Sequence, residues 1–91
     1  MDLSQLRTEI DSVDKELVRL FCSRMELSAR VADYKKANDL PIHQPGREQK
    51  ILEQICRLAG SEMAPYAQSL YDEIFRLSRD YQEKRNSGVI E

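Results

Sequence analysis

Several polar side chains lie on the apolar stripes of this sequence, where they could bind a small anionic molecule. Arg24 takes a heptad position between Leu20 and Leu27, and Lys35 follows eleven residues later. Because eleven residues make almost three helical turns, the two cations share one helix face and lie about 16 Å apart along the axis. An acid, a hydroxyl and an amide hold comparable positions on two later stripes: Glu48, Ser78 and Gln82.

Any one of these residues alone is more often half of a structural ion pair or part of a solvated edge. Together they place cations, an acid, a hydroxyl and an amide on the inner faces of different helices. Burying that set without compensation would cost several kcal/mol per charge. A polar cavity that holds a small ligand relieves this cost, and the surplus of positive charge indicates that the ligand is an anion.

The first element is predicted to be one very long helix at about residues 3–39. No Gly or Pro occurs from Asp2 to Leu40, and apolar residues recur there at alternating spacings of three and four. That spacing is a helical heptad seam and not a strand pattern. Asp2 followed by Gln5 resembles a capping box, and Pro41 supplies a stop.

Two shorter helices are predicted after the first. The second is expected at about 45–59, because Pro45 suits the first position of a helix. The third is expected at about 65–84, and Ser61 and Ala64 are both candidates for its N-cap. The pattern therefore predicts an all-α protein of three helices per chain.

The composition indicates one domain, 1–91, with a frayed tail at 86–91. The formal net charge of −2 argues against nucleic acid as a partner. No apolar stretch approaches the roughly 20 residues that a membrane-spanning helix needs. Because no secretory signal is visible and the only cysteines are Cys22 and Cys56, we expect a cytoplasmic protein with reduced thiols.

The length of the first helix predicts a homodimer. A helix of about 35 residues spans roughly 50 Å, whereas a compact chain of this size has a diameter of roughly 30 Å. Such a helix would leave its apolar seam exposed, and pairing with a second copy is the simplest remedy. Arg7 lies about 100° around the helix from Arg24. It could enter the partner subunit's cavity, although from spacing alone a solvated surface arginine is the better interpretation.

The order and spacing of these residues resemble the all-helical chorismate mutases, including the mutase domains fused to prephenate dehydratase or dehydrogenase. The resemblance covers essentially the whole chain. It is carried by the following motifs: Leu6-Arg7-x-Glu9-Ile10-Asp11-x-Val13-Asp14, Leu17 through Arg24, Glu26-Leu27, Lys35, Pro45-Gly46-Arg47-Glu48, Ile74-Phe75-Arg76-Leu77-Ser78, and Gln82.

The resemblance implies an intertwined homodimer that forms a helical bundle. It also implies an isomerase of the shikimate pathway, which rearranges the dicarboxylate chorismate to prephenate for aromatic amino-acid biosynthesis. That rearrangement is intramolecular, so the family requires neither a cofactor nor a metal. Nothing in the resemblance implies a nucleic acid or a membrane as partner.

The resemblance also implies roles for single residues. Arg24 and, from the partner subunit, Arg7 are similar to the guanidiniums that clamp the substrate carboxylates. Lys35 and Gln82 are similar to the two donors to the ether oxygen. Three further positions match substrate-binding residues of the family: Glu48 for the ring hydroxyl, Ser78 for a carboxylate, and Arg47 as a supporting arginine.

One position departs from the family pattern. Where the family has an aspartate before the proline, this chain has Gln44. Aspartate there would cap the helix and help to orient the ring hydroxyl, whereas glutamine is a poor N-cap and offers no charged acceptor. Gln44 is therefore predicted to weaken substrate binding without changing the chemistry.

Three other functions fit parts of the pattern. One is an isochorismate pyruvate lyase on the same scaffold, which would differ in its products. Another is a weakly active, regulatory mutase-like module that binds a partner enzyme, although both ether-oxygen donors, Lys35 and Gln82, are retained. The last is a structural coiled-coil dimer, which would not need Arg24 and Glu48 on inner faces.

Overall fold

The computed structural model describes residues 1–87, which form helices joined by short turns. The helices are α1, Leu3–Ala37, α2, Pro45–Ala59, and α3, Ala64–Ser87. The predicted all-α class and the very long first helix are confirmed, and no strand occurs within the described part of the chain.

The observed helix ends differ slightly from the predicted ones. α1 ends at Ala37 instead of near residue 39, and α3 begins at Ala64, one residue before Pro65. α3 also continues to Ser87, so the first two residues of the predicted frayed tail are helical. The rest of that tail, 88–91, lies outside the described residues.

Local hydrogen bonds explain where α1 begins and ends. The backbone N–H of Gln5 donates to Asp2 Oδ1 and the N–H of Asp2 donates to Gln5 Oε1, both at 2.8 Å, so the predicted capping box is confirmed. At the other end Asp39 has a φ of 54°, and the Leu40 N–H donates to the Lys35 carbonyl at 2.8 Å. This is a Schellman arrangement, which turns the chain out of the helix before Pro41 is reached.

The turn before α2 is held by proline and not by a side-chain cap. Gln44 is the N-cap residue, and its side chain makes no capping hydrogen bond. Pro45 follows at the first helical position, where its missing N–H removes a donor that would otherwise need a partner. α2 ends at Gly60, whose φ of 85° suits a residue without a Cβ.

α3 is the central element, because it packs against both of the other helices. Within residues 1–87, no Cα atom of α1 lies within 8 Å of a Cα atom of α2. Ala29 and Ala32 of α1 are buried together with Phe75 of α3. The small alanine side chains allow α3 to approach α1 closely, and so the polar faces of both helices meet around one cleft.

An ion pair fastens the last turns of α1 to the end of α3. Arg85 donates to the Asp33 carboxylate from Nε at 3.1 Å and from Nη2 at 3.0 Å. This hydrogen-bonded guanidinium holds the pKa of the Asp33 carboxyl below its ordinary value of 3.8. Lys36 adds a hydrogen bond from Nζ to the Asn86 carbonyl at 3.1 Å. These contacts fix the position of the cleft-forming half of α1 along α3.

The first half of α1 has no packing partner within the described chain. Every residue from 1 to 23 is exposed, and the radius of gyration is 16.2 Å, against about 12 Å for a compact chain of this length. No helix in residues 1–87 has the length and apolar character needed to cross a membrane. The exposed apolar side chains recur along the helix: Leu3, Leu6, Ile10, Val13, Leu17, Val18 and Leu20.

Candidate active site

A cleft of about 340 Å³, lined by charged, polar and apolar side chains, lies between the C-terminal half of α1, the turn before α2, and the facing sides of α2 and α3. Its size suits a small organic molecule. Arg7, in the N-terminal half of α1, does not line this cleft. All the other residues predicted for the site do line it: Arg24, Lys35, Gln44, Arg47, Glu48, Ser78 and Gln82.

Arg24 is half-buried and fixed by three neighbours on α3. Its guanidinium carbon lies 5.6 Å from the ring centroids of both Tyr71 and Phe75, a distance at which cation–π attraction operates. Its Nη1 donates to Ser78 Oγ at 3.3 Å. The arginine is therefore held at the cleft wall, with the rest of its planar fork free to bind a carboxylate.

Lys35 is held over the cleft by the turn that follows α1. Its Nζ donates to the Ile42 carbonyl at 2.8 Å. An ammonium group has three donors, so two remain for a ligand. Because the carbonyl belongs to the turn, the position of this cation depends on how α1 ends.

Gln82 is a buried polar side chain on α3, at 7% exposed. Its Nε2 donates to the backbone carbonyl of Ser28 on α1 at 2.9 Å. A carbonyl oxygen can only accept, so this contact determines which end of the amide faces α1. The second N–H of the amide remains available to the cleft.

Glu48 is paired with an arginine that the sequence analysis did not identify. Nη1 of Arg79, on α3, donates to both oxygens of the Glu48 carboxylate, at 2.7 and 2.6 Å. His43 Nε2 lies 3.8 Å from Glu48 Oε1. Arg79 stands three residues before Gln82, which places it on the same side of α3. That spacing is the signal that could have revealed it.

Ser28 is a second residue that the sequence analysis missed. It lines the cleft and provides the carbonyl that orients the Gln82 amide. Ser28 follows Arg24 by four residues and precedes Lys35 by seven, so all three share one face of α1. Its contribution to Gln82 comes from the backbone, which side-chain patterns do not reveal.

The charge of the cleft strongly favours an anionic ligand. Four basic side chains, Arg24, Lys35, Arg47 and Arg79, line it with a single carboxylate, Glu48. The walls also carry apolar side chains, including Val31 and Ile51. Several cations together with apolar side chains suit a small molecule that has carboxylates on a hydrocarbon ring.

The fold and the cleft together define a class, a small helical protein with a cation-rich cleft whose chemistry suits an organic anion. Residues 6–83 match the family chorismate mutase type II. This match covers most of the chain, which therefore belongs to the chorismate mutase type II family. The resemblance drawn from the sequence motifs is confirmed.

Curated relatives of the chain carry related names. It is 46% identical over 57 residues to the bifunctional chorismate mutase/prephenate dehydratase of Aquifex aeolicus, over 63% of this chain and 16% of that protein. It is 39% identical over 74 residues to the T-protein of Haemophilus influenzae, over 81% and 19% of the two chains. It is 34% identical over 58 residues to the 4-amino-4-deoxychorismate mutase of Streptomyces venezuelae, over 64% of this chain and 56% of that protein.

The aligned part of this chain thus spans less than a fifth of the Aquifex and Haemophilus proteins. No solved structure matches the chain significantly.

Proposed function

We propose that this protein is a chorismate mutase, an isomerase that rearranges chorismate to prephenate. The observation that carries the proposal is that Lys35 of α1 and Gln82 of α3 line the same cation-rich cleft. In the reaction a carbon–carbon bond forms while the ether carbon–oxygen bond of the same molecule breaks. No group leaves and no proton is transferred, so the protein's task is to fold the substrate and to stabilise charge.

Arg24 binds a substrate carboxylate in this proposal. Its guanidinium is already oriented by Tyr71, Phe75 and Ser78, so little conformational entropy is lost when the substrate binds. Ser78 is buried, at 6% exposed, and its hydroxyl donates to the weak acceptor Met25 Sδ at 3.6 Å. In this proposal the hydroxyl hydrogen turns to a substrate carboxylate when the substrate binds. Arg24 and Ser78 together bind the carboxylates and so hold the substrate in its folded conformer. Arg47 supports this binding from the cleft edge.

Lys35 and Gln82 stabilise the negative charge that develops on the ether oxygen. Both are fixed by backbone carbonyls, those of Ile42 and Ser28, so each presents a preorganised donor. One such donor typically contributes about 2.7–4 kcal/mol to transition-state stabilisation. Two donors together therefore account for most of a ~10⁶-fold acceleration, which requires about 8 kcal/mol.

Glu48 accepts a hydrogen bond from the ring hydroxyl of the substrate. Its carboxylate stands at the N-terminal end of α2 and is held by Arg79. Gln44 also lines this part of the cleft but carries no charge, so Glu48 is the only charged acceptor there among the described residues.

The site is completed by a second copy of the chain in an intertwined homodimer. The support for this proposal is the exposed apolar seam of α1, in which Leu6, Ile10 and Val13 are each about half exposed, at 45%, 57% and 57%. A seam of this length is typical of a long helix–helix interface. In such a dimer Arg7 of the partner subunit supplies the second guanidinium for the substrate carboxylates.

We place this reaction in aromatic amino-acid biosynthesis and the protein in the cytoplasm. The direct test is to incubate the purified protein with chorismate, follow substrate loss by absorbance and identify the product. Isochorismate and 4-amino-4-deoxychorismate should be assayed separately, the latter because it appears in the name of the Streptomyces relative. Prephenate formed from chorismate supports the proposal. Pyruvate released from isochorismate, with no turnover of chorismate, would replace it with a lyase.

A further inference from the structure

The proposed mechanism uses Arg79 only to hold the Glu48 carboxylate, although its own charge also lies at the cleft. Arg79 reaches from α3 to Glu48 on α2, and both side chains are less than a third exposed, at 29% and 23%. One nitrogen, Nη1, donates to both carboxylate oxygens. Since the pair joins two helices, Arg79 determines where the carboxylate points and also compensates its charge.

Among the described residues that line the cleft, Glu48 is the only one with a carboxylate. His43 lies 3.8 Å from the carboxylate, and Arg47 lines the same cleft. A neutral hydroxyl can still donate to a free lone pair of Glu48, because each carboxylate oxygen accepts more than one hydrogen bond. An ammonium group at the same point would bring a second cation close to Arg79, with a single carboxylate between them.

We propose that Arg79 is a specificity-determining residue that makes the cleft select a ring hydroxyl over a ring ammonium. The inference rests on the proposed function, in which Glu48 accepts the hydrogen bond of the ring substituent. Arg79 acts through Glu48 and through its own charge, without contact with the reacting bonds. In a site partly screened by solvent, the Arg79 guanidinium repels a ring ammonium that lies within several ångströms. This repulsion should lower kcat/KM for the amino substrate about tenfold relative to the hydroxyl substrate.

The test compares two substrates in one protein, chorismate and 4-amino-4-deoxychorismate, at neutral pH. Arg79→Met removes the charge and keeps a side chain of similar length. The ratio of kcat/KM for the hydroxyl substrate to that for the amino substrate should fall about tenfold. Most of the change should appear in KM for the amino substrate, because the substituent takes no part in the breaking or forming bonds. Arg79→Lys retains the charge and should keep the ratio within about twofold of the parent.

Arg76 provides a matched control on the same helix. It is also paired with a glutamate, Glu73, but both side chains are more than half exposed, at 60% and 53%, and neither lines the cleft. Arg76→Met should therefore leave the substrate ratio unchanged. A loss of general folding stability would lower both activities together and would not alter the ratio.

The outcomes separate this inference from the proposed function. If the parent rearranges chorismate and Arg79→Met leaves the ratio unchanged, the role of Arg79 is refuted while the mutase proposal stands. A parent that prefers the amino substrate also refutes it. If the parent acts on neither substrate, the proposed function fails and this inference fails with it. Should Arg79→Met not fold by circular dichroism, Arg79→Gln replaces it and is judged by the same ratio.

Discussion

The side-chain amide of Gln82 donates from Nε2 to the backbone carbonyl of Ser28, 2.9 Å away across the α1–α3 interface. This bond uses one of the two amide hydrogens and leaves the other for a ligand in the cleft that Gln82 lines. It also explains why an amide suits this position better than a carboxyl group. A protonated carboxyl has only one hydrogen, which cannot serve Ser28 and a substrate at the same time.

Gln82→Glu should make activity depend on pH. The ionised glutamate would place negative charge beside the Ser28 carbonyl and beside an oxygen that becomes negative during the reaction. A glutamate has an unperturbed pKa of about 4.3, so the variant should be active in acid and lose activity as the pH rises. At neutral pH we expect a loss of about 10²–10³ in kcat, the usual effect of one missing donor.

The measurement for Gln82→Glu is kcat/KM for variant and parent from acid to neutral pH. The parent should be much flatter, because an amide does not titrate in this range. The variant should remain below the parent even in acid, since its single hydrogen is shared. Parallel profiles would show that Gln82 is not the ether-oxygen donor.

Inactive chains should complement each other if Arg7 acts in the partner subunit's site. An Arg7→Ala chain paired with a Lys35→Ala chain forms one site with both residues intact. In an equimolar mixture whose subunits have fully exchanged, about a quarter of all sites should therefore be intact. Activity of the mixture, measured after subunit exchange, is the readout.

The control for complementation uses two residues of the same cleft. Lys35 and Gln82 both line the cleft of one chain, so mixing Lys35→Ala with Gln82→Ala leaves every site with one lesion. This mixture should stay inactive. A fully exchanged Arg7→Ala and Lys35→Ala mixture without activity would contradict the shared site.

Gln44→Asp should stabilise the start of α2 and tighten substrate binding. Gln44 is the N-cap residue and its side chain makes no capping hydrogen bond, so aspartate would supply a missing acceptor. Such caps contribute about 0.5–2 kcal/mol to the free energy of unfolding. Thermal melting and the substrate KM measure the two effects.

Gln54→Asp is the matched control for the cap, because residue 54 is exposed in the interior of α2. Aspartate there has lower helix propensity and no terminal N–H to accept from, so it should not stabilise the protein. Equal melting temperatures for Gln44→Asp and the parent would mean that the turn does not accept a side-chain cap.

The Asp33–Arg85 ion pair should stabilise the fold near neutral pH and lose its effect in acid. Arg85 lowers the pKa of Asp33 from its ordinary value of 3.8. The folded state thus favours the ionised carboxylate. Its contribution is complete above the unfolded pKa and disappears as the pH falls through the lower, folded pKa. Both groups are at the surface, so the effect should be small.

Melting temperatures of the parent and of Asp33→Asn, compared across pH, test this ion pair. The two should differ near pH 7 and converge at strongly acidic pH. Asp72→Asn removes an exposed aspartate of α3 that has no ion pair among the described residues, and it controls for the change in net charge. A difference between parent and Asp33→Asn that persists unchanged in acid would show that the effect is not electrostatic.

Sequence periodicity by itself determined the helices and the faces on which the unusual polar residues lie. The heptad seam of α1 is a property of one segment, and a helix places residues three, four, seven or eleven apart on one side whatever packs against it. For this reason Arg24, Lys35 and Glu48 could be assigned to inner faces from spacing alone. The capping box at Asp2 is equally local, because both of its hydrogen bonds span three residues.

Only the tertiary structure decided which groups meet across the helices. The pairing of Glu48 with Arg79 and the bond from Gln82 to the Ser28 carbonyl depend on the rotation and axial register of α3 against its neighbours. Against α1 those two quantities are fixed by packing around Ala29, Ala32 and Phe75, and no single-helix pattern contains them. The end of α1 at Ala37 was predicted about two residues too late for a related reason. The left-handed conformation of Asp39 is selected by the hydrogen bonds that close the turn. Pro41, two residues later, only sets the last position that the helix could reach.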